Sequence, residues 1–258
     1  MNIIKTTLAV ALLSIFSLNA FAQVKKAPVG KTMVAKPTTA VKKTVAKQNA
    51  PEKNESYIPG KTKVKITTDM GDMVVRLYDA TPQHRDNFVK LVKEGFYDSL
   101  LFHRVIQGFM IQGGDPLSKH AEPGAMLGMG GGDMQRIPAE FDKNIIHKKG
   151  ALAAARDGNP EKASSACQFY IVQGNAINDD MLNMMAQQKG YAYTPAQKEI
   201  YKTLGGTPFL DMEYTVYGEV ETGLEVIDKI AAVQKNPSDR PLTDVHIIKM
   251  EVVEEAKK

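Results

Sequence analysis

The sequence predicts a mainly β fold, an antiparallel barrel or sandwich with helices at its ends. Three observations carry this reading. Strand-like stretches outnumber helical ones, they join through turns rather than regular helical crossovers, and several alternate polar and apolar residues with a period of two. With 258 residues, 43% of them hydrophobic, and a mean hydropathy of −0.26, the chain reads as water-soluble and can bury one sizeable core or two small ones.

Residues 1–22 read as a secretory signal peptide. "MNIIKTTLAVALLSIFSLNAFAQ" places Lys5 before an apolar run from Leu8 to Leu18 and then Ala20-Phe21-Ala22. That run is shorter than the ~20 residues of a membrane span and ends in small residues suited to cleavage, so the mature protein is expected to be exported, periplasmic or secreted, with no integral membrane segment. Residues 23–58 carry eight lysines against Glu52 and Glu55, a net of +6, with no aromatic residue before Tyr57 and no sustained periodicity. Such a composition buries too little apolar surface to offset the entropy of ordering, which predicts a disordered basic linker. It reads as a solvated spacer; electrostatic attachment to an anionic envelope surface or nucleic acid is its alternative use. Residues 59–258 hold 24 basic and 27 acidic groups, so the basic character belongs to the linker and the domain itself gives no sign of a nucleic-acid partner.

Within residues 59–258, "KVKITTDMGDMVVRLY" alternates on both sides of a turn at Asp69 to Asp72 and predicts a hairpin. Thr81 caps a helix with Pro82 in its first turn, and "DNFVKLVKEGFY" lines up Phe88, Leu91, Val92 and Phe96 on one face. "GALAAAR", "CQFYIVQ", "EYTVYGEV" and "DVHIIKMEVVE" read as strands, and "TGLEVIDKIAAV" as a helix opened by a Thr222/Glu225 capping box. An insert at about 174–208 contains Met181, Leu182, Met184 and Met185 and then a Thr194/Gln197 capping box, which predicts two short helices; the methionines are expected to pack the insert onto the barrel.

Alternation in "CQFYIVQ" sends Cys167, Phe169 and Ile171 to one face and Gln168, Tyr170 and Val172 to the other, so an apolar core face backs one that offers an amide and a phenol. Cys167, the single cysteine, cannot form an intramolecular disulfide or a paired-cysteine zinc site and reads as a small core residue; no elbow or helix start supports a nucleophilic pair with His103. The five histidines lack metal-ligand spacing, and "GMGGGD" lacks the Lys-Ser/Thr of a phosphate loop, so no metal or cofactor is expected. Arg104 stands among apolar neighbours in "LLFHRVIQGFMIQGGD". A charge there is costly unless paired, for instance with Asp115 or Glu140, or used to anchor a carbonyl oxygen.

Taken in order, "FHRVIQGFMIQGGD", "GMGGGDMQRIPAEF", "GALAAAR", "CQFYIVQ", "PFLDMEYTVYGEV" and "GLEVIDKI" resemble the cyclophilin family of peptidyl-prolyl isomerases over nearly all of residues 61–253. The resemblance implies a closed eight-stranded antiparallel barrel capped by two helices, with the site on its outer surface. Arg104 matches the catalytic arginine and Gln112 a hydrogen-bonding glutamine. Phe109 and Met110 match the floor of the proline pocket, Gln168 a second glutamine and Leu210 a pocket leucine. Ala155 and Arg156 fall where the family usually has Ala-Asn, Tyr170 replaces a common Phe, Phe209 stands at a frequent Trp and Tyr214 at a frequent His. The added charge of Arg156 is expected to move substrate preference toward acidic residues, and Phe209 to weaken cyclosporin-type binding.

The implied chemistry is rotation about an Xaa-Pro bond. Its barrier, ~18–20 kcal/mol, comes from nitrogen sharing its lone pair with the carbonyl. As the bond twists, that lone pair returns to nitrogen, where the Arg104 guanidinium could hydrogen-bond it in the transition state alone. The expected substrates are proline-containing polypeptides and unfolded exported proteins, and the domain is expected to act as a monomer. The rival reading is a non-catalytic proline-peptide-binding or chaperone module, which would have no need of Arg104. One geometric demand remains. A two-residue turn at Gln107-Gly108 would put Arg104 and Gln112 on opposite faces, so the turn should be wider or irregular.

Overall fold

The computed structural model describes residues 60–254. The signal peptide expected over 1–22 and the basic linker over 23–58 lie outside the described residues. The expected hairpin is present as β1 (Lys63–Thr68) and β2 (Gly71–Leu77), joined at Asp69-Met70 with Thr68 opposite Gly71. It is followed by α1 (Pro82–Lys93), β3 (Leu100–Leu101), β4 (Arg104–Ile106), β5 (Met110–Gly113), β6 (Ala151–Ala154) and β7 (Phe169–Val172). Then come α2 (Asp179–Lys189), α3 (Pro195–Thr203), β8 (Val216–Thr222), α4 (Leu224–Ala231) and β9 (His246–Glu254).

The strands form one curled antiparallel sheet in the order β3-β9-β1-β2-β8-β6-β7-β5-β4, a half-barrel of nine strands among the described residues. The expected closed eight-stranded barrel is therefore corrected in both respects, and one stretch of chain explains why. Residues 100–106 would make a single strand closing the barrel, but Phe102 and His103 interrupt them. Leu100 and Leu101 pair with β9, whereas Arg104 to Ile106 pair with β5. Past the break, the Val105 N–H donates to the carbonyl of Asp239 in a loop (2.8 Å) rather than to a strand. The two sheet edges are thus consecutive in sequence yet not joined by a ladder.

One apolar cluster fills the inside of the curl: Val64, Ile66, Val75 and Leu77 from the hairpin, Phe169 and Ile171 from β7, Phe88 and Val92 from α1, and Ile227 and Ile230 from α4. A second lies on the opposite face and joins Met110, Tyr170, Val172, Ala153 and Val216 to Phe109, Leu210 and Tyr214. β7 therefore divides as its alternation predicts, Phe169 and Ile171 inward, Tyr170 and Val172 outward. Buried Cys167 belongs to the inner cluster.

Of the three helix starts expected from sequence, Thr81 and Thr194 stand at the cap positions and Thr194 alone makes its side-chain cap. Thr194 accepts from the Gln197 N–H while the Gln197 amide returns to the Thr194 N–H, a complete capping box on α3. Thr81 precedes α1 but makes no side-chain cap; the Glu140 carboxylate accepts from the Gln83 and His84 N–H groups instead, each at 3.0 Å. Thr222 cannot cap α4 because it is still paired with Val74 in the sheet. Gly223 takes the cap position at φ 87°, where a Cβ would fall 2.3 Å from the Asp72 carbonyl oxygen.

The insert forms its two helices, but Met181 and Met184 do not fasten it. Met181 and Met184 are exposed, while Leu182, Ala186, Tyr193 and Tyr201 form a third buried cluster with Ile146.

Candidate active site

The β4–β5 connection is a three-residue loop, Gln107, Gly108 and Phe109, with Gly108 at φ 75° and the Phe109 N–H bonded to the Ile106 carbonyl (3.0 Å). The extra residue answers the demand set by the sequence, because Arg104 now lies directly opposite Gln112 and on the same face. The row continues across the sheet: Gln112 opposes Tyr170, Tyr170 opposes Ala153, and Ala153 opposes Val216. Five neighbouring strands thus set a cation, an amide, a phenol, an alanine and a valine in one line along the outer face. The Gly108 turn is tied down by the N–H groups of Gln173 and Gly174, both donating to the Phe109 carbonyl.

Above this row opens a cavity of about 350 Å³. Arg104, Phe109, Met110, Gln112, Ala155, Arg156, Tyr170, Leu210 and Tyr214 all line it, so nine of the residues selected from sequence come together. Its other wall is the loop from Gly124 to Met129, together with Asn236, Ser238 and Arg240. Gln168 lines an adjoining cavity that shares Gln112, Gly128, Ala155 and Arg156 with the first. Phe209 lines neither; its half-exposed ring stands 5.6 Å from that of Phe109, at the outer edge of the site.

The polar groups are arranged around an apolar floor. Arg104 keeps 44% of its side-chain surface exposed and faces Asp239, Nε to Oδ2 at 3.7 Å, so it stands on the rim rather than in the dry interior that its neighbours in sequence suggest. Neither carboxylate expected as its partner plays that part. Asp115 caps the turn at Leu117, and Glu140 holds the start of α1. The buried Gln168 amide donates to the carbonyls of Gly128 (3.0 Å) and Gly130 (2.9 Å) and accepts from Gln112 Nε2 (3.0 Å). It thereby fixes the glycine-rich loop and orients Gln112 in one arrangement. Arg156 is folded back: its Nε donates to the Glu213 carbonyl (3.1 Å) and its guanidinium lies 4.5 Å over the Tyr214 ring.

Four features were not selected from sequence. His103, which lines the cavity, is buried, and neither of its ring nitrogens has a hydrogen-bond partner among the described residues; burial pushes its pKa down to about 4. Asp239 reaches Arg104 from a loop more than a hundred residues away, which no local pattern announces. Arg240, buried beside it, donates to the carbonyls of Glu122 and Ala125 and pairs with Asp244, fixing the far wall. His147 receives the Tyr170 hydroxyl beneath the floor. Among the described residues no group of three or more His, Cys, Asp or Glu could hold a metal ion, and no helix is long and apolar enough to cross a membrane.

A family model described as cyclophilin type peptidyl-prolyl cis-trans isomerase matches residues 63–252. A protein of Staphylococcus saprophyticus named putative peptidyl-prolyl cis-trans isomerase is 37% identical over 209 residues, 80% of this chain and 99% of its own. A Staphylococcus aureus protein of the same name is 36% identical over the same length, with the same shares. Two crystal structures of a cyclophilin type peptidyl-prolyl cis-trans isomerase from Cryptosporidium parvum share the fold. One has a TM-score of 0.56 at 22% identity, covering 77% of this chain and 99% of that one. The other, determined in the presence of the dipeptide Ala-Pro, has a TM-score of 0.55 at 23% identity, covering 74% and 98%.

Proposed function

The chain belongs to the cyclophilin-type family of peptidyl-prolyl cis-trans isomerases and is an enzyme of that class, and on that premise we propose that Arg104 and Gln112 act on Xaa-Pro bonds of exported proteins during folding. The observation that carries the proposal is the cross-strand pair itself: Arg104 opposite Gln112, at the mouth of a pocket floored by Phe109, Met110, Tyr170 and Leu210.

The apolar floor grips the proline ring. Small Ala153 and Ala155 on the outer face leave room for the peptide backbone to approach, whereas Ala154 packs in the inner cluster. Gln112, oriented by Gln168, holds the carbonyl side of the substrate while the Arg104 guanidinium meets the prolyl nitrogen as it becomes pyramidal. Because that lone pair is available only in the twisted state, the hydrogen bond lowers the barrier without stabilising either ground state. Shortening ~100 s to milliseconds requires about 10⁵, or about 7 kcal/mol, which positioning and one well-aimed cation can supply. No covalent intermediate is needed, and the cis–trans equilibrium is not displaced.

Export rests on the sequence of residues 1–22. The mass of the mature protein and its recovery in the extracytoplasmic fraction test it, and an intact leader on a cytoplasmic protein would remove it. A single-species sedimentation profile at monomer mass tests the monomer. For the active residues, exchange of an Ala-Pro peptide is followed by NMR with the wild type and with Arg104→Ala. A loss of tenfold or more in kcat/KM with the fold intact supports the role of Arg104. Unchanged exchange refutes it.

A further inference from the structure

A buried relay runs from the proline-pocket floor into the helical insert. The Tyr170 hydroxyl lies 3.0 Å from His147 Nε2, and His147 Nδ1 lies 2.8 Å from Asp211 Oδ1, which also accepts from the His147 N–H (2.8 Å). On its other oxygen Asp211 accepts from the hydroxyls of Tyr201 (2.6 Å) and Tyr193 (3.0 Å), both in the insert. All five side chains are at most 4% exposed.

A carboxylate only accepts, so His147 Nδ1 is the donor to Asp211; in the tautomer protonated on Nδ1 alone, Nε2 accepts from the Tyr170 hydroxyl. The Tyr170 ring is stacked on His147 (centroids 6.1 Å, planes 12° apart) and meets Tyr214 edge-on (5.9 Å). One chain neighbour of Asp211 is Leu210, another pocket residue. The carboxylate therefore holds two pieces of the floor at once, Leu210 through the backbone and Tyr170 through the imidazole. Burial together with the Asp211 charge pushes the pKa of Tyr201 well up and that of Tyr193 up, so both hydroxyls stay protonated and donating.

We propose that Tyr193 and Tyr201 are positioning residues for the isomerase reaction, and that the insert sets the shape of the proline pocket through Asp211, His147 and Tyr170. The inference rests on the pocket being the proline site. Neither tyrosine lines the pocket, so each acts only through the relay. A phenylalanine at 170 would fill the floor equally well but would leave His147 Nε2 without its donor; the hydroxyl is what links floor to insert.

The full-length protein is tested as wild type, Tyr193→Phe/Tyr201→Phe, Tyr170→Phe and the triple variant, with kcat and KM for an Ala-Pro peptide measured separately by NMR exchange. The insert variant should remain folded and raise KM about threefold to tenfold with kcat within twofold, and the same insert change should have little further effect in the Tyr170→Phe background. A folded insert variant with KM within twofold of wild type overturns the inference. So does an equal rise with and without the Tyr170 hydroxyl, because a general loosening does not pass through it. If the double variant does not fold, Tyr201→Phe alone is judged by the same criteria. An inactive wild type would defeat the proline-site reading instead, and the relay is then judged by the Tyr170 ring resonances. Their shift in Tyr201→Phe supports it, and unchanged positions overturn it.

Discussion

Asp239 holds its carboxylate 3.7 Å from Arg104 Nε while its backbone carbonyl accepts from the Val105 N–H next door, so one loop residue addresses both the proposed catalytic cation and the strand that carries it. It does so at φ 63°, a left-handed conformation that Asn and Asp tolerate better than most residues. The ion pair is long and partly solvated, a geometry that contributes at most about 1 kcal/mol. Asp239→Asn keeps the backbone and removes the charge. It should lower kcat/KM by no more than about fivefold, whereas Asp239→Leu should cost more by straining the loop and releasing β4. Peptide exchange at two salt concentrations checks this: the residual effect of Asp239→Asn should shrink as salt rises.

Gln168 joins the two adjoining cavities. Replacing it with Leu deprives the Gly128 and Gly130 carbonyls of their donor and frees Gln112. The expected cost is about 2 kcal/mol in denaturant unfolding, with a rise in KM as the loop and Gln112 lose their fixed positions. Gln168→Glu should be worse, because it loses both donations as Leu does and also buries a charge facing the two carbonyl oxygens. Equal stability of wild type and Gln168→Leu would show that the loop is held by other contacts.

The pocket wall also carries an acid sensitivity. His103 is neutral in the fold because burial dominates; Asp115 works against that depression, and Arg104 and Arg240 add to it. With the folded value at about 4 and the unfolded one near 6.5, the unfolded chain binds the extra proton between these limits, so stability falls as pH drops through that window. The loss should approach about 3 kcal/mol by pH 4. His103→Leu should flatten the pH dependence of unfolding between pH 6.5 and 4. An unchanged slope would place the sensitivity elsewhere.

What the sequence made legible, and what it did not, follows from the range of each interaction. Alternation in "CQFYIVQ" assigned both faces of β7 because burial repeats every second residue, and the Thr194/Gln197 box was readable because both partners lie within one turn. Thr81 and Thr222 looked equally suitable, but a distant Glu140 displaced the first and strand pairing with Val74 held the second. The pocket residues came from a motif resemblance, yet Asp239 and His147 contact site residues distant in sequence, and the two relay tyrosines connect only through Asp211, with no periodic signal. The break at Phe102-His103, which opens the sheet, is marked by no glycine, proline, asparagine or aspartate in residues 100–106.

Arg156 was expected from sequence to draw acidic residues to the groove. Its guanidinium is already engaged: it lies over Tyr214, donates to the carbonyls of Glu213 and Asp157, and stands 3.7 Å from the Glu213 carboxylate. Lys162 first, then Lys189 and Arg156, hold the Glu213 carboxyl below its usual range, so a negative charge sits beside the positive one. A substrate carboxylate approaching here meets a guanidinium already committed to Tyr214 and two backbone carbonyls, in a field weakened by solvent and salt. The ratio of kcat/KM for Glu-Pro over Ala-Pro peptides should therefore stay below about threefold at physiological salt. Glu213→Gln should raise that ratio by uncovering the Arg156 charge, and Arg156→Asn should bring it to unity while increasing KM for both peptides as Tyr214 loses the group above its ring. A strong preference for Glu-Pro in the wild type that survives Arg156→Asn would assign selectivity to the Gly124–Met129 wall instead.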